Sequence, residues 1–352
     1  YGWGFNNNLA LGVGAERGVV SIRKGNISYP GKTRKSKKIA VGEDHSIILD
    51  NGKVYSMGSP KDGQLAHRDP VGRVTFPTGV TIVAVAAGPR FNIAVAKGRE
   101  QLWAWGKGQA GALDIDTVAL KPLAFRLPGS TSKVASVCVG NDFSMALCDN
   151  GNVYTWGLGA NGRLGHGDTK SVISPRLNKA LIFDKNSRVV QISAGTAHAM
   201  ALTLAGHVYS WGAGSYGRLG LGHTEDVRAP TLIKELPHEC TWVSAGDRHS
   251  LAVTNKTKDG ITLFTWGCEK NGKLGHGIRN NEDRGLPMVL APEAVVRFVE
   301  DTIKYEVKEA VCGKKHTVAI AWRIISTSVQ DEKDKRKFCV FAWGSNENGL
   351  CG

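Results

Sequence analysis

The sequence predicts an all-β protein in which one strand-rich unit is repeated around a ring, the arrangement of a β-propeller. The dipeptide Trp-Gly recurs at one phase of the repeat, at Trp3, Trp105, Trp156, Trp211, Trp266 and Trp343. Met57 stands at the equivalent place of a seventh copy. Successive copies are 54, 48, 51, 55, 55 and 77 residues apart, which is close to the length of a four-stranded blade and too long for a helical hairpin.

A second half-unit precedes the Trp-Gly strand, and we call it the AGxxH turn: a small residue, Gly, two variable positions and usually His. Its glycines are Gly42, Gly88, Gly140, Gly195, Gly246 and Gly313. Only six copies are therefore present, and a seventh AGxxH half-unit is missing from the given chain. Because an open ring would leave unpaired strand edges, we expect flanking residues to supply it.

Within one unit the pattern is that of strands. The stretches VVQIS (189–193), HAMALTL (198–204) and HVYSW (207–211) alternate apolar and polar residues, and Gly stands at each boundary. Such alternation places one face of a strand in a core, and Gly permits positive φ or a close backbone approach at the turns. The single Trp of each unit is expected to wedge between neighbouring blades and to bury about 150–250 Å².

The repeated histidines are interpreted as structural. His45, His198, His249 and His316 all stand four residues after the small residue of the turn, and one phase favours one explanation. We expect each imidazole to bond a neighbouring backbone group at the start of its blade. A metal needs ligands that converge, whereas equivalent positions of a ring lie far apart. The Gly-rich turns lack the context of a nucleotide-binding loop, so neither metal nor cofactor is predicted.

These units resemble the RCC1 repeat, named for the regulator of chromosome condensation. The clearest copies are GNDFSMALCDNGNVYTWGLGANGRLGHGD (140–168), the unit at 194–222 and the unit at 244–277. The resemblance implies a seven-bladed propeller, closed into a single domain over 1–352, with one blade completed by the two chain termini. It covers nearly all of the chain.

The chain is basic, with 45 Lys and Arg against 31 Asp and Glu and a net charge of +14. The densest run, the basic loop at 32–38, contains Lys32, Arg34, Lys35, Lys37 and Lys38. Such a run neutralises phosphates, binds an acidic protein surface, acts as a nuclear localisation signal, or is only a solvated loop. A mixed-charge insert at 326–337 explains the longest repeat interval and is expected to protrude.

Other features bound the cellular setting. No apolar run of about 18 residues exists, so no transmembrane helix is predicted. The seven cysteines are odd in number and form no CxxC pair, which fits a reducing compartment. We therefore expect an intracellular, nuclear or cytoplasmic protein that is monomeric and does not bind membranes.

The candidate binding residues are those that the repeat scaffold does not dictate, the variable positions of the AGxxH turns. Ring geometry directs them toward one face, around the central channel. The predicted partner-binding residues are Glu43, Asp44, Arg90, Asn141, Asp142, Asp247, Arg248, His249, Lys314 and Lys315. Both signs of charge are present, which suits a protein partner.

The resemblance implies an activity that this face is known for in the family, guanine-nucleotide exchange on the small GTPase Ran. Asn141 and Asp142 look like the family's catalytic GND turn. Arg248 replaces a functional His, Pro89 replaces an acidic residue, and GKGQAGALDIDTVALKP (106–122) is shorter than the family's inserted β-wedge. Photoreception, known for a related plant receptor, is not expected because no AGxxH turn carries Trp after its Gly.

The sequence therefore predicts a non-enzymatic interaction module. It docks a protein partner on the face of the AGxxH turns and uses the basic loop to reach an acidic surface such as chromatin, RNA or tubulin. The alternative is an exchange factor for a Ran-type small GTPase, which would act without covalent chemistry by stabilising the nucleotide-free GTPase.

Overall fold

The computed structural model of the protein describes residues 2–5, 19–23, 38–108, 118–184, 187–255, 262–277, 288–295, 303–325 and 336–345. These residues form an all-β propeller of successive antiparallel sheets. Its regular elements other than strands are single 3₁₀ turns, at Ala160–Gly162, Lys179–Leu181, Ser215–Gly217 and Lys270–Gly272. No described helix is long and apolar enough to span a membrane.

Five blades have four strands each. The first contains β3 (Lys38–Val41), β4 (His45–Asp50), β5 (Lys53–Gly58) and β6 (Val71–Arg73). The second contains β7 (Ile82–Ala87), β8 (Phe91–Ala96), β9 (Leu102–Lys107) and β10 (Val118–Phe125). The third contains β11 (Val134–Val139), β12 (Phe143–Cys148), β13 (Val153–Gly157) and β14 (Val172–Leu177). The fourth contains β15 (Val189–Ala194), β16 (His198–Thr203), β17 (Val208–Gly212) and β18 (Val227–Leu232). The fifth contains β19 (Cys240–Ala245), β20 (His249–Thr254), β21 (Leu263–Cys268) and β22 (Met288–Ala294).

The number of blades differs from the prediction. A sixth blade has three strands, β23 (Ile303–Cys312), β24 (His316–Ile325) and β25 (Arg336–Gly344). The seventh repeat contributes only β1 (Gly2–Phe5) and β2 (Val19–Arg23), which pair with each other as a separate two-stranded sheet. The described residues thus form six blades instead of the predicted seven.

The glycine of each Trp-Gly pair is required by the backbone. Gly58, for example, has φ +123°, and a Cβ added to it would lie 2.2 Å from the carbonyl oxygen of Asp44. That carbonyl accepts a hydrogen bond of 2.9 Å from the amide of Ser59. The same bond recurs in the other five blades, so the AGxxH turn and the end of the Trp-Gly strand are fixed together.

The AGxxH turns follow one another around an inner ring. A Cβ on Gly195 would lie 2.2 Å from the carbonyl oxygen of Gly246, and one on Gly42 would lie 2.4 Å from that of Gly88. Backbone bonds join consecutive turns as well, such as Thr196 N–H to Gly246 O at 3.0 Å. Glycine permits this close packing because a side chain would separate the blades.

Where a blade carries them, the repeat tryptophan and histidine join it to a neighbouring blade. The indole of Trp266, in the fifth blade, donates from Nε1 to the carbonyl of Arg218 in the fourth at 3.0 Å. Ser250 Oγ donates to the same carbonyl at 2.8 Å. Because the hydroxyl donates its only proton to that carbonyl, it is the acceptor in its second hydrogen bond, from His198 Nε2–H at 2.8 Å. Trp105 and Trp211 also donate to carbonyls of the preceding blade, at 3.0 Å each.

The histidine partners correct the sequence-based expectation of a backbone acceptor. His45 Nε2 bonds Asn92 Oδ1 at 2.6 Å, and His249 Nε2 bonds Thr317 Oγ1 at 2.9 Å. The partner is thus a side chain of the next blade, at the position that follows the AGxxH turn. Each partner donates in turn to a carbonyl of the preceding blade, so the imidazole completes a bridge between blades.

The propeller has two ends that carry different turns. The AGxxH face carries the AGxxH turns and the loops after the Trp-Gly strands, since His198 is paired with Gly212 at that end. The opposite hairpin face carries the turns between the second and third strands and the connections between blades. Lys38, paired with Leu49, lies at the hairpin end of β3, whereas Val41, paired with Ser46, lies at the AGxxH end.

Candidate protein-binding face

The structure places most predicted contact residues on the AGxxH face. Exposed there are Glu43, Asp44, Arg90, Arg248, Lys314 and Lys315. Partly buried are Asn141, Asp142 and Asp247. The face therefore presents both positive and negative side chains around the ring of AGxxH turns.

Two ion pairs organise part of this charge. Lys314 Nζ lies 3.2 Å from Glu43 Oε1, which connects the AGxxH turns of the sixth and first blades. Arg248 Nε lies 3.5 Å from Asp247 Oδ2 within one turn. Pairs as exposed as these contribute little stability, so their side chains are free to exchange partners on binding.

His249 lies beneath the face, which is a correction to its placement among the contact residues. Its side chain is fully buried, and Nε2 is committed to Thr317. Burial, with the nearby positive charge of Lys273, lowers the pKa of His249 to about 3. The imidazole is therefore neutral at physiological pH and acts as a bridge between blades, like His45 and His198.

The Asn141–Asp142 turn has a backbone unlike the other five turns. Asp142 has φ +61°, while the equivalent residues of the remaining turns do not have positive φ. The Asn141 carbonyl accepts from Arg163 Nη1 at 3.1 Å, and the Asp142 carbonyl accepts from the amide of Leu158 at 2.7 Å. These bonds fix the backbone of the turn.

Sequence reasoning missed Tyr216, which stands in the loop after Trp211. The Arg248 guanidinium lies over its ring, 4.7 Å from the centroid, and Arg248 Nη1 donates to the Tyr216 hydroxyl at 3.0 Å. Below them the buried Arg218 donates to the carbonyls of Ser215 and Asp247, at 2.8 and 2.9 Å. This stack joins the fourth and fifth blades.

Tyr216 also has an unfavourable backbone conformation. Its φ is +65°, in the left-handed region, where the equivalent residues of neighbouring blades are Asn161 and Asn271. Asn tolerates that region, whereas a bulky aromatic residue is strained there by about 1–3 kcal/mol. Aligning GANGRLG with GSYGRLG would have revealed the substitution.

The other predicted elements fall mainly outside the described residues. Of the basic loop only Lys38 is described, and it enters β3 at the hairpin face, opposite the AGxxH turns. Most of the insert at 326–337 and residues 109–117 also lie outside. Among the residues that are described, no three His, Cys, Asp or Glu side chains cluster as metal ligands would.

Comparison with known proteins defines the class: the chain belongs to the RCC1-like domain family, whose family model matches residues 1–319. Among curated proteins it is 32% identical over 373 residues to the mouse E3 ubiquitin-protein ligase HERC2, covering 99% of this chain and 7% of that protein. It is 30% identical to the ultraviolet-B receptor UVR8 of Arabidopsis thaliana, over 91% of this chain and 67% of the receptor. The chain thus spans only a small part of HERC2.

Solved structures show the same fold. Prp20p of Saccharomyces cerevisiae, whose binding to Gsp1p and histones was studied with its structure, superposes with a TM-score of 0.74 at 23% identity, covering 98% of this chain and 80% of that one. Human WBSCR16 superposes with a TM-score of 0.74 at 22% identity, covering 99% and 89%. At this level of identity, the two comparisons show a shared propeller fold and nothing further.

Proposed function

We propose that this RCC1-like propeller is a non-enzymatic interaction module that docks a protein partner on its AGxxH face. The basic loop, which leads to the opposite face through Lys38, adds contact with an acidic partner surface. The observation that carries the proposal is the Tyr216–Arg248 stack on the AGxxH face. Tyr and Arg are the residues most enriched among binding hot spots, and backbone strain concentrates at functional sites.

The face also has the other properties of a docking surface. Its turns are held rigidly by the glycine and histidine contacts beneath them, so little ordering is needed on binding. Charged side chains of both signs surround the aromatic anchor, with Asp247 and Arg248 beside it. A partner with complementary charges around one apolar or planar group fits this arrangement.

Tyr216→Asn is expected to separate binding from folding. Asn occupies the equivalent position in two other blades, so the variant should melt at the same temperature or higher. Loss of the aromatic anchor should weaken partner binding by about 1–2 kcal/mol, or five- to thirtyfold. The measurement compares proteins retained from cell extract by immobilised wild type and variant, quantified by mass spectrometry, with thermal melting of both.

Lys121→Ala, a change to an exposed cation on the outer strand β10, serves as the matched control. A set of proteins depleted by Tyr216→Asn and kept by Lys121→Ala supports the AGxxH face as the docking site. Equal retention by all three proteins contradicts the proposal.

Exchange on a Ran-type small GTPase is the second candidate, and it is favoured by the unusual conformation of Asp142. The substitutions at Pro89 and Arg248 weigh against it. If the protein is an exchange factor, catalytic amounts accelerate release of labelled GDP from Ran, and Asp142→Ala abolishes the acceleration while the melting temperature is kept. If it is an interaction module only, no acceleration is observed with either protein.

A further inference from the structure

A second surface lies on the hairpin face, across the first three blades. Its exposed cationic side chains include Lys38, Lys53, Lys97, Arg99 and Lys133. The exposed carboxylates among them are Glu100 and Asp149, and Asp50 is buried. These cations outnumber the exposed carboxylates, and we call this surface the basic rim.

Backbone hydrogen bonds make the basic rim one continuous surface. The amide of Ile82 donates to Gly52, next to Lys53, and the amide of Lys97 donates to Thr81. The amide of Val134, next to Lys133, donates to the carbonyl of Arg99 at 2.8 Å. The side chain of Lys38 also connects the first blade to the second, since Nζ donates to the Val83 carbonyl at 3.5 Å.

Arg99 stands at a position where other blades use glycine. Its amide donates to the carbonyl three residues before it, as do those of Gly151 and Gly206 in the third and fourth blades. Arg99 has φ +62°, and the two glycines have φ +91° and +80°. A long cationic side chain in the left-handed region of an exposed hairpin does nothing for the fold that glycine would not do better, which points to a role in binding.

We propose that the basic rim binds the phosphate backbone of duplex nucleic acid. Phosphate contacts need only exposed Lys and Arg spread along a surface. A protein partner or a single strand would need aromatic or apolar anchors among the charges. In the described connections of these three blades the aromatic rings pack against other rings: Phe76 lies edge-on against Trp103 and Trp105, at 5.7 and 5.8 Å between ring centroids, and Phe183 lies 5.1 Å from Tyr209.

This inference rests on the proposed function in that it names the partner of the hairpin face, and it is tested separately. The probe is a labelled duplex of about 20 base pairs of arbitrary sequence, with binding followed by fluorescence anisotropy as salt is varied. If all five cations contact phosphates, log K falls with log salt with a slope of about −4.5, or about 500-fold between about 50 and 200 mM.

Two variants give the matched comparison. The triple change Lys97→Ala, Arg99→Gly and Lys133→Ala is expected to reduce the magnitude of the slope by about 2.7. The control removes three exposed cations outside the basic rim, Lys121→Ala, Lys170→Ala and Arg176→Ala, and should leave the slope unchanged. Arg99→Gly alone should reduce the slope by about 0.9 while keeping or raising the melting temperature, which excludes misfolding as the cause.

Three outcomes would overturn the inference: a wild-type slope near zero, an equal reduction by both triple variants, or competition by poly-glutamate as effective as that of duplex at equal charge. The last would identify an acidic protein as the partner instead. None of them bears on the AGxxH face, because the retention experiment with Tyr216→Asn tests that surface alone.

Discussion

Replacing Trp266 with alanine is expected to lower the free energy of unfolding by about 3–5 kcal/mol. The indole is fully buried among Met200, Leu202 and Val243 of the fourth and fifth blades, so its removal leaves a cavity at their interface. The Arg218 carbonyl also loses one of its two donors. Urea unfolding followed by circular dichroism measures the change.

The control for this substitution is Trp322→Ala. Trp322 is partly exposed, lies outside the Trp-Gly position and makes an edge contact with Phe338, which is 56% exposed. We expect Trp322→Ala to cost much less than Trp266→Ala. Equal losses would mean that the repeat tryptophans are not the main connection between blades.

The fold follows from the sequence because the repeat records the contacts between blades. Trp-Gly and AGxxH recur at one phase because every blade packs the same turn glycine against its neighbour, and most blades add an indole and an imidazole at the same two positions. Counting Trp-Gly does not give the blade count of the described residues, because the strand at Trp3 pairs only with β2 in a separate two-stranded sheet. Pairing each Trp-Gly with its own AGxxH turn gives six.

The site was only partly predictable. Variable turn residues such as Glu43 and Arg248 reach the face because the ring places every AGxxH turn there. Tyr216 and Arg99 were missed because their importance lies in backbone conformation: each takes a positive φ that a residue type alone does not reveal. Comparing the blades would have revealed both residues, because other blades have Asn at the position of Tyr216 and Gly at the position of Arg99.

The opposite placement of the two surfaces could also have been read from strand order. The basic loop precedes the first strand of a blade, and the AGxxH turn follows that strand, so the two must lie at its opposite ends. A partner on one face therefore leaves the other face accessible.

Acid is expected to unfold the propeller through its buried histidines. Burial lowers the pKa of His45, His198, His249 and His316. Nε2 of His45, His198 and His249 bonds a side chain of the next blade. Nδ1 of all four histidines lacks a partner among the described residues. Below the unfolded-state pKa of about 6.5, these histidines bind protons in the unfolded chain but not in the folded chain. The free energy of unfolding therefore falls as pH decreases.

His249 sets the scale of this effect. With a pKa of about 3 in the folded state, it alone removes about 2 kcal/mol of unfolding free energy between pH 7 and pH 5, and the loss continues toward pH 3. The His249→Gln variant keeps an N–H donor for Thr317 but does not titrate. Urea unfolding at pH 7 and pH 5 should therefore show a loss that is smaller by about 2 kcal/mol in the variant. An equal loss in both proteins would show that the bridge between the fifth and sixth blades accommodates a protonated imidazole.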